Sequence, residues 1–248
     1  LSEASLNYGK KALIVTDPVM VQLKNVDKVT QKLDQDHIEY SIFSQITGEP
    51  TDLMIEKGVE QYRAEDCDFL IAIGGGSIVD IAKLFALKQV EHSEQLFLRE
   101  VPIVKEKQLI IIPTTCGTGS EVTNISIALL KGKNTKLGLA DNAICADQAV
   151  MIPELLVKLP YKVFVTSSVD ALIHAAESFL SPKASGYTEL FSIKAMEMIL
   201  KGYMEIVEKG QEHFREIVGE FLEASNYAGI AFGNAGCAAV HAMSYPLG

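Results

Sequence analysis

The stretch DFLIAIGGGSIVDIAK, residues 68–83, joins a short apolar run to three consecutive glycines and then to a helical pattern. A buried parallel strand that leads into the next helix of a βαβ unit has this pattern. Glycine costs backbone entropy, so three in a row need a physical reason. A turn without Cβ atoms lets an anion approach the N–H groups and the positive dipole end of the following helix. The stretch therefore predicts an anion or pyrophosphate site at residues 74–76.

A simpler interpretation accounts for part of the same stretch. Ser77 followed by Asp80 has the spacing of a capping box, which would belong to a tight turn between strand and helix. Such a turn explains one or two of the glycines but not all three. The usual dinucleotide fingerprint, G-x-G-x-x-G, is absent from the stretch. The prediction of a phosphate-binding turn therefore depends on the number of glycines.

Apolar runs alternate with helical patterns through the first part of the chain, which favours a parallel sheet covered on both faces. The predicted strands are residues 11–17, 38–44, 68–74 and 109–113, and the predicted helices are residues 21–33, 53–63 and 77–87. Residues 123–147 suggest a hairpin or a sheet extension. Helical patterns follow at residues 153–160, 164–180, 189–210 and 214–236. We expect an α/β protein in which a Rossmann-like dinucleotide-binding domain, residues 1–152, precedes an all-helical metal and substrate domain, residues 153–248.

The composition of the chain indicates which kinds of partner to expect. The chain has 248 residues and a net charge of −10, without a dense run of Lys or Arg, which argues against nucleic acid. Its four cysteines show no C-x-x-C spacing, so a disulfide framework is not expected and a reducing cytoplasm is the default. The most apolar long window, residues 228–243, contains polar and small residues and indicates a packed helix instead of a membrane span. We expect a cytoplasmic protein that acts on a small molecule, with neither nucleic acid nor membrane as a partner.

A second glycine-containing turn, TTCGTGSEVTN at residues 114–124, follows the last long apolar run. Its hydroxyl and backbone donors could hold ribose, phosphate or an amide, although on its own the segment is only a polar loop. Beside residues 74–76 it would form the other wall of a crevice at the strand ends, where open sheets bind ligands. Asp17, after the first strand, could accept from a ribose hydroxyl and repel a 2′-phosphate, which favours NAD over NADP. The alternative for Asp17 is a helix cap.

Asp170 and His174 are four residues apart in a helical pattern, so their side chains share one face. Aspartate and histidine are suitable ligands for Fe²⁺ or Zn²⁺. The spacing also arises by chance, and the two side chains could simply share a hydrogen bond. His241 is either a third ligand or a core histidine.

Taken in order, these motifs resemble the iron-type (group III) alcohol dehydrogenase family. The segments that carry the resemblance are GGGSIVDIAK, PTTCGTGSEVT, DALIHAAE and HAMSYPLG, and they span nearly the whole chain. The resemblance implies NAD as cofactor and a divalent metal, with Fe²⁺ preferred and Zn²⁺ as the alternative. It also implies hydride transfer between NAD(H) and a short-chain hydroxy acid or aldehyde, by a protein that forms a homo-oligomer.

The resemblance assigns roles residue by residue. The implied cofactor contacts are Asp17, Gly75, Gly76, Ser77, Asp80, Thr114, Thr115, Thr118, Thr123 and Lys136, and the implied metal ligands are Asp170, His174 and His241. A further histidine ligand of the family would fall beyond Gly248, so we expect that the chain lacks a C-terminal part. Tyr245 stands where most of the family has a histidine near the nicotinamide, and it is the candidate catalytic proton donor, with water as the alternative.

Other functions remain open at this point. Within the same family, a 1,3-propanediol- or butanol-type alcohol dehydrogenase would differ by only a few pocket residues. A lyase similar to 3-dehydroquinate synthase would share NAD and a metal, but it fits the PTTCGTGSEVT loop poorly. A non-catalytic NAD-binding module is the alternative from a different class.

Overall fold

The computed structural model of the chain describes residues 8–88 and 93–236. The chain divides into two compact units. The first unit comprises residues 1–113 and 124–150, and the second comprises residues 114–123 and 151–248. A single cut near residue 152 would assign residues 114–123 to the sheet, whereas their contacts group them with the helices.

The first unit is built on a parallel sheet whose described strands follow the order β2-β1-β3-β4-β7. The strands of the chain are β1 Lys11–Val15, β2 Glu39–Phe43, β3 Phe69–Gly74, β4 Leu109–Pro113, β5 Ile125–Leu130, β6 Thr135–Ala140 and β7 Gln148–Ala149. The central strands β3 and β4 are buried along their whole length, as expected for continuous apolar runs. The predicted α/β fold with a parallel sheet is confirmed.

Helices cover this sheet. In the first unit they are α1 Pro18–Gln22, α2 Asn25–Gln35, α3 Asp52–Ala64, α4 Gly76–Phe85 and α5 Ser93–Phe97. The prediction of one helix over residues 21–33 is wrong, because Lys24 has a left-handed backbone (φ 58°) that separates α1 from α2. The first helix also begins earlier than predicted, since the Asp17 side chain caps it and Pro18 occupies its first position.

Strands β5 and β6 form the predicted hairpin as an antiparallel pair outside the main sheet. Helix α4 holds the start of β5 through two residues. The Asp80 carboxylate accepts a hydrogen bond from the Ile127 N–H at 3.0 Å, and the Asp80 carbonyl accepts one from the Ser126 hydroxyl at 2.9 Å. The fully buried Lys83 donates to the Ile125 carbonyl at 2.7 Å. These contacts fix the position of the hairpin on α4.

The second unit contains, in its described part, three long helices: α6 Tyr161–Phe179, α7 Gly186–Lys209 and α8 Phe214–Ala235. Phe164 of α6 stacks on Phe214 at 4.6 Å between ring centroids and meets Phe221 edge to face at 4.7 Å. These ring contacts pack α6 against α8.

The helix predicted at residues 153–160 is wrong. The structure has only a short 3-10 turn, Pro153–Leu155, before α6. Pro160 has ψ 136° and is the N-cap of α6, and the steric restriction on the residue before a proline disfavours a helix that runs into it. The segment still buries three apolar side chains, those of Leu155, Leu156 and Leu159, although its backbone is not α-helical.

In the part of the chain that the structure describes, no helix has the length and apolar character required to cross a bilayer. Cys67, Cys116 and Cys145 are free thiols, and Cys237 lies outside the described residues.

Candidate cofactor and metal sites

The triple-glycine turn (residues 74–76) links the end of β3 to the start of α4. A Cβ at Gly74 would lie 2.5 Å from Ile78 Cγ1, so close packing of the helix on the strand explains this first glycine. Gly75 is the N-cap of α4 with φ −79° and ψ −176°, an extended conformation open to any residue. Backbone conformation therefore does not explain Gly75. The first N–H groups of α4, at Gly76 and Ser77, belong to the set that a helix leaves without intrahelical acceptors.

The predicted capping box of Ser77 and Asp80 is wrong. The structure starts α4 one position earlier, and Gly75 caps it without a side-chain hydrogen bond. The Asp80 carboxylate instead accepts from the Ile127 N–H on β5. A local pattern could not reveal this partner, because Ile127 is 47 residues away. A direct contact of Ser77 or Asp80 with a cofactor stays a prediction.

Asp17 lies at the carboxyl end of β1, the strand that pairs directly with β3. Its Oδ1 accepts a hydrogen bond from the Met20 N–H at 2.8 Å, so the helix-cap interpretation is confirmed. The cap uses one carboxylate oxygen, and the side chain is half-buried instead of enclosed. Because β1 and β3 are neighbours, the cap and the triple-glycine turn occupy the same edge of the sheet. Ribose recognition by Asp17 stays a prediction.

Lys136 projects from β6 and forms an ion pair that the sequence did not reveal. Its Nζ lies 2.6 Å from Oε1 of Glu49, and the two side chains are 32% and 44% exposed. Glu49 lies in the irregular segment after β2, so no periodic pattern marked it. The pair holds the ammonium group of Lys136 at the surface of the first unit.

The threonine loop (residues 114–123) belongs to the second unit. Two of its predicted cofactor residues are buried, Thr114 at 1% and Thr123 at 2% exposure, and the Thr123 hydroxyl donates to the Ser120 carbonyl at 3.3 Å. Thr115 and Thr118 are partly exposed, and the Thr118 hydroxyl oxygen accepts from the Ser120 N–H at 3.3 Å. Thr115 and Thr118 are therefore the side chains of the loop best able to reach a ligand.

Glycines of the threonine loop pack against helices. Gly119 is in the left-handed region (φ +54°), and a Cβ there would lie 2.5 Å from the Gly229 Cα on α8. A Cβ at Gly117 would lie 2.8 Å from the Ser167 carbonyl oxygen on α6. These two contacts are between backbones, so no side chain can yield to make room. The loop is consequently docked tightly on both helices.

Cys116, between these contacts, has its Sγ 3.6 Å from the Ser167 Oγ. Burial raises the pKa of the Cys116 thiol to about 11. The thiol therefore stays protonated at neutral pH, and it is a packing residue instead of a nucleophile.

Asp170 and His174 lie on one face of α6, as predicted from their spacing. Asp170 Oδ2 and His174 Nδ1 are 3.8 Å apart, beyond hydrogen-bond distance. The His174 ring is 7% exposed and stacks on Phe232 of α8 with 4.3 Å between centroids and 15° between planes. The aromatic contact holds the imidazole in a defined orientation, while the Asp170 side chain remains 39% exposed.

This pair is compatible with metal binding. Two ligand atoms that share a cation at bond lengths of about 2.1 Å can lie no more than about 4.2 Å apart. The 3.8 Å separation meets that limit, and one carboxylate with one imidazole is a donor set suited to Fe²⁺ or Zn²⁺. The third predicted ligand, His241, and the candidate proton donor, Tyr245, lie outside the described residues. Within residues 8–88 and 93–236, no cluster of three His, Cys, Asp or Glu side chains suits a metal ion.

Comparison with known proteins identifies the class. A family model described as iron-containing alcohol dehydrogenase matches residues 1–153, and one described as the C-terminal part of the Fe-containing alcohol dehydrogenase family matches residues 164–248. The chain belongs to the iron-containing alcohol dehydrogenase family, and the resemblance found from its motifs is confirmed.

Among individual proteins, the chain is 57% identical over 201 residues to 4-hydroxybutyrate dehydrogenase of Clostridium kluyveri, a match that covers 81% of this chain and 54% of that protein. It is 37% identical over 245 residues to long-chain-alcohol dehydrogenase 1 of Geobacillus thermodenitrificans, with coverage of 97% and 61%. The chain thus spans between half and two thirds of the length of these curated relatives.

Solved structures show the same fold. An iron-containing alcohol dehydrogenase of Thermotoga maritima superposes with a TM-score of 0.88 at 31% identity, covering 99% of this chain and 67% of that chain. A 1,3-propanediol oxidoreductase superposes with a TM-score of 0.91 at 27% identity, covering 99% and 64%.

Proposed function

We propose that the protein is a metal-dependent, NAD-linked alcohol dehydrogenase whose substrate pair is 4-hydroxybutyrate and succinate semialdehyde. The observation that carries the proposal is the Asp170–His174 pair, held on one face of α6 at a separation suited to one cation. Membership of the iron-containing alcohol dehydrogenase family supports the proposal that this pair holds a metal ion. The substrate is supported by the 57% identity to 4-hydroxybutyrate dehydrogenase.

The first unit would hold the cofactor. The triple-glycine turn ends a buried strand and offers the N–H groups of α4 to the diphosphate. Asp17 would accept from the adenosine ribose while it caps α1. The negative charge of Asp17 disfavours an additional 2′-phosphate, which supports NAD as the cofactor. Lys136, held by Glu49, would add a cation near the bound dinucleotide.

The second unit contains the proposed metal ligands and the threonine loop. Asp170 and His174 would hold the divalent cation, together with His241. A divalent metal bound there would act as a Lewis acid that lowers the pKa of the substrate hydroxyl. The stacking of His174 on Phe232 orients the imidazole, which would preorganise it as a metal ligand. Thr115 and Thr118 would donate or accept hydrogen bonds at the cofactor from a rigid loop. Tyr245 would move the proton that accompanies hydride transfer.

The distal carboxylate of 4-hydroxybutyrate requires a cationic or N–H-rich anchor. Lys183, which follows α6, is exposed. Its exposure favours a solvated surface lysine over a substrate anchor. We also expect a cytoplasmic homo-oligomer, by analogy with the family.

The decisive experiment follows NADH formation by the purified protein with NAD⁺ and 4-hydroxybutyrate. Metal should be removed with a chelator and then restored as Fe²⁺ or Zn²⁺, with metal content measured in parallel. The variant His174→Ala should lose bound metal and about a thousandfold in turnover, because the Lewis acid supplies several kcal/mol. NADH formation that is independent of metal would contradict the proposal, and NAD⁺ binding without turnover on any hydroxy acid would favour a non-catalytic module.

A simple alcohol is the second candidate substrate. The 37% identity to a long-chain-alcohol dehydrogenase over nearly the whole chain supports it. A panel that includes 4-hydroxybutyrate, 1-butanol and 1,3-propanediol separates the two candidates by their kcat/KM values.

A further inference from the structure

The threonine loop is attached to α8 by a buried polar pair. Asn226 Nδ2 donates to Glu121 Oε1 at 2.9 Å, and the two residues are 8% and 4% exposed. They are 105 residues apart in the chain, so only the tertiary structure brings them together. A buried carboxylate is costly unless it is hydrogen-bonded, and here an amide from the facing helix supplies one such bond.

The packing of the threonine loop against α8 does not by itself require a polar pair. Near the pair in sequence, Gly119 of the loop and Gly229 of α8 bring the two backbones into contact. Apolar residues at positions 121 and 226 would fill the same space without the cost of burying a carboxylate. A directional hydrogen bond adds what apolar packing does not, since it specifies one register of the loop along the helix.

The register matters because of what the loop carries. Thr115 and Thr118 are partly exposed on the loop whose other face is docked on α6 and α8. A ligand hydrogen bond requires the donor to be held within a few tenths of an ångström. Glu121 is only three residues from Thr118, so a shift at the buried pair displaces that hydroxyl.

We infer that Glu121 and Asn226 form a positioning pair that sets the threonine loop in register for NAD⁺. This inference rests on the proposed function, because it assumes that the loop contacts the cofactor. Neither residue touches the cofactor in this scheme, and both act through the placement of the loop hydroxyls.

The variant Asn226→Asp places a second carboxylate against Glu121 and removes the amide donor. The dissociation constant for NAD⁺ should rise about tenfold, because a displaced loop would lose about one hydrogen bond between the Thr118 hydroxyl and the cofactor. The reciprocal double variant Glu121→Gln/Asn226→Asp restores a donor opposite an acceptor, and its affinity should return to within about threefold of the original. If the pair only stabilised the fold, exchanging its donor and acceptor in the double variant would not be expected to restore NAD⁺ affinity.

Tyr227→Phe is the matched control. Tyr227 is the neighbouring residue on α8, and its hydroxyl donates to Glu223 at 2.6 Å within the same helix. This variant also loses a hydrogen bond to a carboxylate, but one that does not involve the loop. Its NAD⁺ affinity should be unchanged.

If Asn226→Asp does not fold, Asn226→Leu removes the donor without adding charge. Amide hydrogen exchange in residues 114–123 should accelerate in that variant, and NAD⁺ affinity should fall by about threefold. Unchanged exchange and affinity in Asn226→Leu would overturn the inference, as would a lowered melting temperature with unchanged affinity. If the original protein does not bind NAD⁺, the proposed function fails as well. Binding by the original protein with unaltered affinity in every variant overturns this inference alone.

Discussion

The triple-glycine turn and the threonine loop both follow buried strands and both contain glycine, yet their glycines have different physical causes. In the turn, Gly74 makes room for Ile78, whereas Gly75 has an ordinary extended backbone. In the loop, Gly117 and Gly119 are in backbone contact with α6 and α8. The two segments look alike as sequence, because composition does not reveal what lies opposite a missing Cβ.

This difference separates glycines that serve packing, at positions 74, 117 and 119, from Gly75, which we propose leaves space for the cofactor diphosphate. Substitution in the threonine loop should damage the fold of the second unit. Substitution at Gly75 should leave the first unit folded and weaken the binding of the cofactor. Measured side by side, stability and NAD⁺ affinity therefore test the comparison directly.

The largest expected effect is on stability, at Gly119. The variant Gly119→Val places a side chain against the Gly229 backbone and forces valine into a left-handed conformation. The free energy of unfolding should fall by about 4 kcal/mol, the sum of an overpacked core and a strained backbone. Chemical denaturation measures it. Gly186→Ala is the control in the same unit, because a Cβ there meets nothing within 4 Å. Equal stability of Gly119→Val and the original protein would show that the loop is not docked on α8.

A smaller effect, on binding instead of folding, is expected at Gly75. Serine is a preferred N-cap residue, so Gly75→Ser should be at least as stable as the original protein. Its Cβ and hydroxyl would occupy the space proposed for the diphosphate, and the NAD⁺ dissociation constant should rise about tenfold. Calorimetric titration with NAD⁺ and thermal unfolding give the two values. Unchanged affinity would leave Gly75 without a functional explanation.

Asp17 lies at the same sheet edge as Gly75, and its structural role as the cap of α1 is seen directly. It therefore tests whether a structural and a cofactor role can be separated at one residue. Asp17→Ala removes the cap on α1 and should cost about 1 kcal/mol of stability, whereas Asp17→Asn preserves the cap. Both variants remove the charge, so the preference for NAD⁺ over NADP⁺ should fall by about threefold in each, a modest change for a half-exposed carboxylate. Unfolding and steady-state kinetics with the two cofactors separate these roles. A loss of cofactor preference in Asp17→Ala alone would attribute the preference to the cap.

The smallest effect is expected at a glycine that belongs to neither segment. Gly138 lies within β6, and a Cβ there has no atom within 4 Å. Gly138→Ala should stabilise the protein by about 0.5 kcal/mol, because alanine restricts the unfolded chain more than glycine does. Thermal unfolding would detect the change. Destabilisation would mean that open space around a glycine does not predict tolerance to substitution in this protein.

Sequence patterns predicted the elements well where the signal was long and periodic. The buried strands β1, β3 and β4 and the helices α6, α7 and α8 were all anticipated, because burial on one or two faces dictates their periodicity. Prediction failed where short segments depend on single residues. Lys24 interrupts the helix expected over residues 21–33, and residues 153–160 contain only the 3-10 turn Pro153–Leu155 before Pro160 caps the next helix.

The candidate sites show a similar division. The i, i+4 spacing placed Asp170 and His174 on one helix face, since that relation is local. Asp80 was expected to cap its own helix, but it binds a backbone N–H on β5. Glu49 and Asn226 were missed, because their partners, Lys136 and Glu121, are distant in sequence.

By itself, the sequence determined the parallel sheet, the helical segments, the glycine turn and the family, because each is encoded by neighbouring residues in a repeating or ordered pattern. The tertiary structure alone decided that residues 114–123 group with the helices and that Glu121 meets Asn226. The physical reason is that hydrogen bonds and close backbone contacts between distant segments form only when the whole chain is packed. No local preference of either partner indicates where the other will lie.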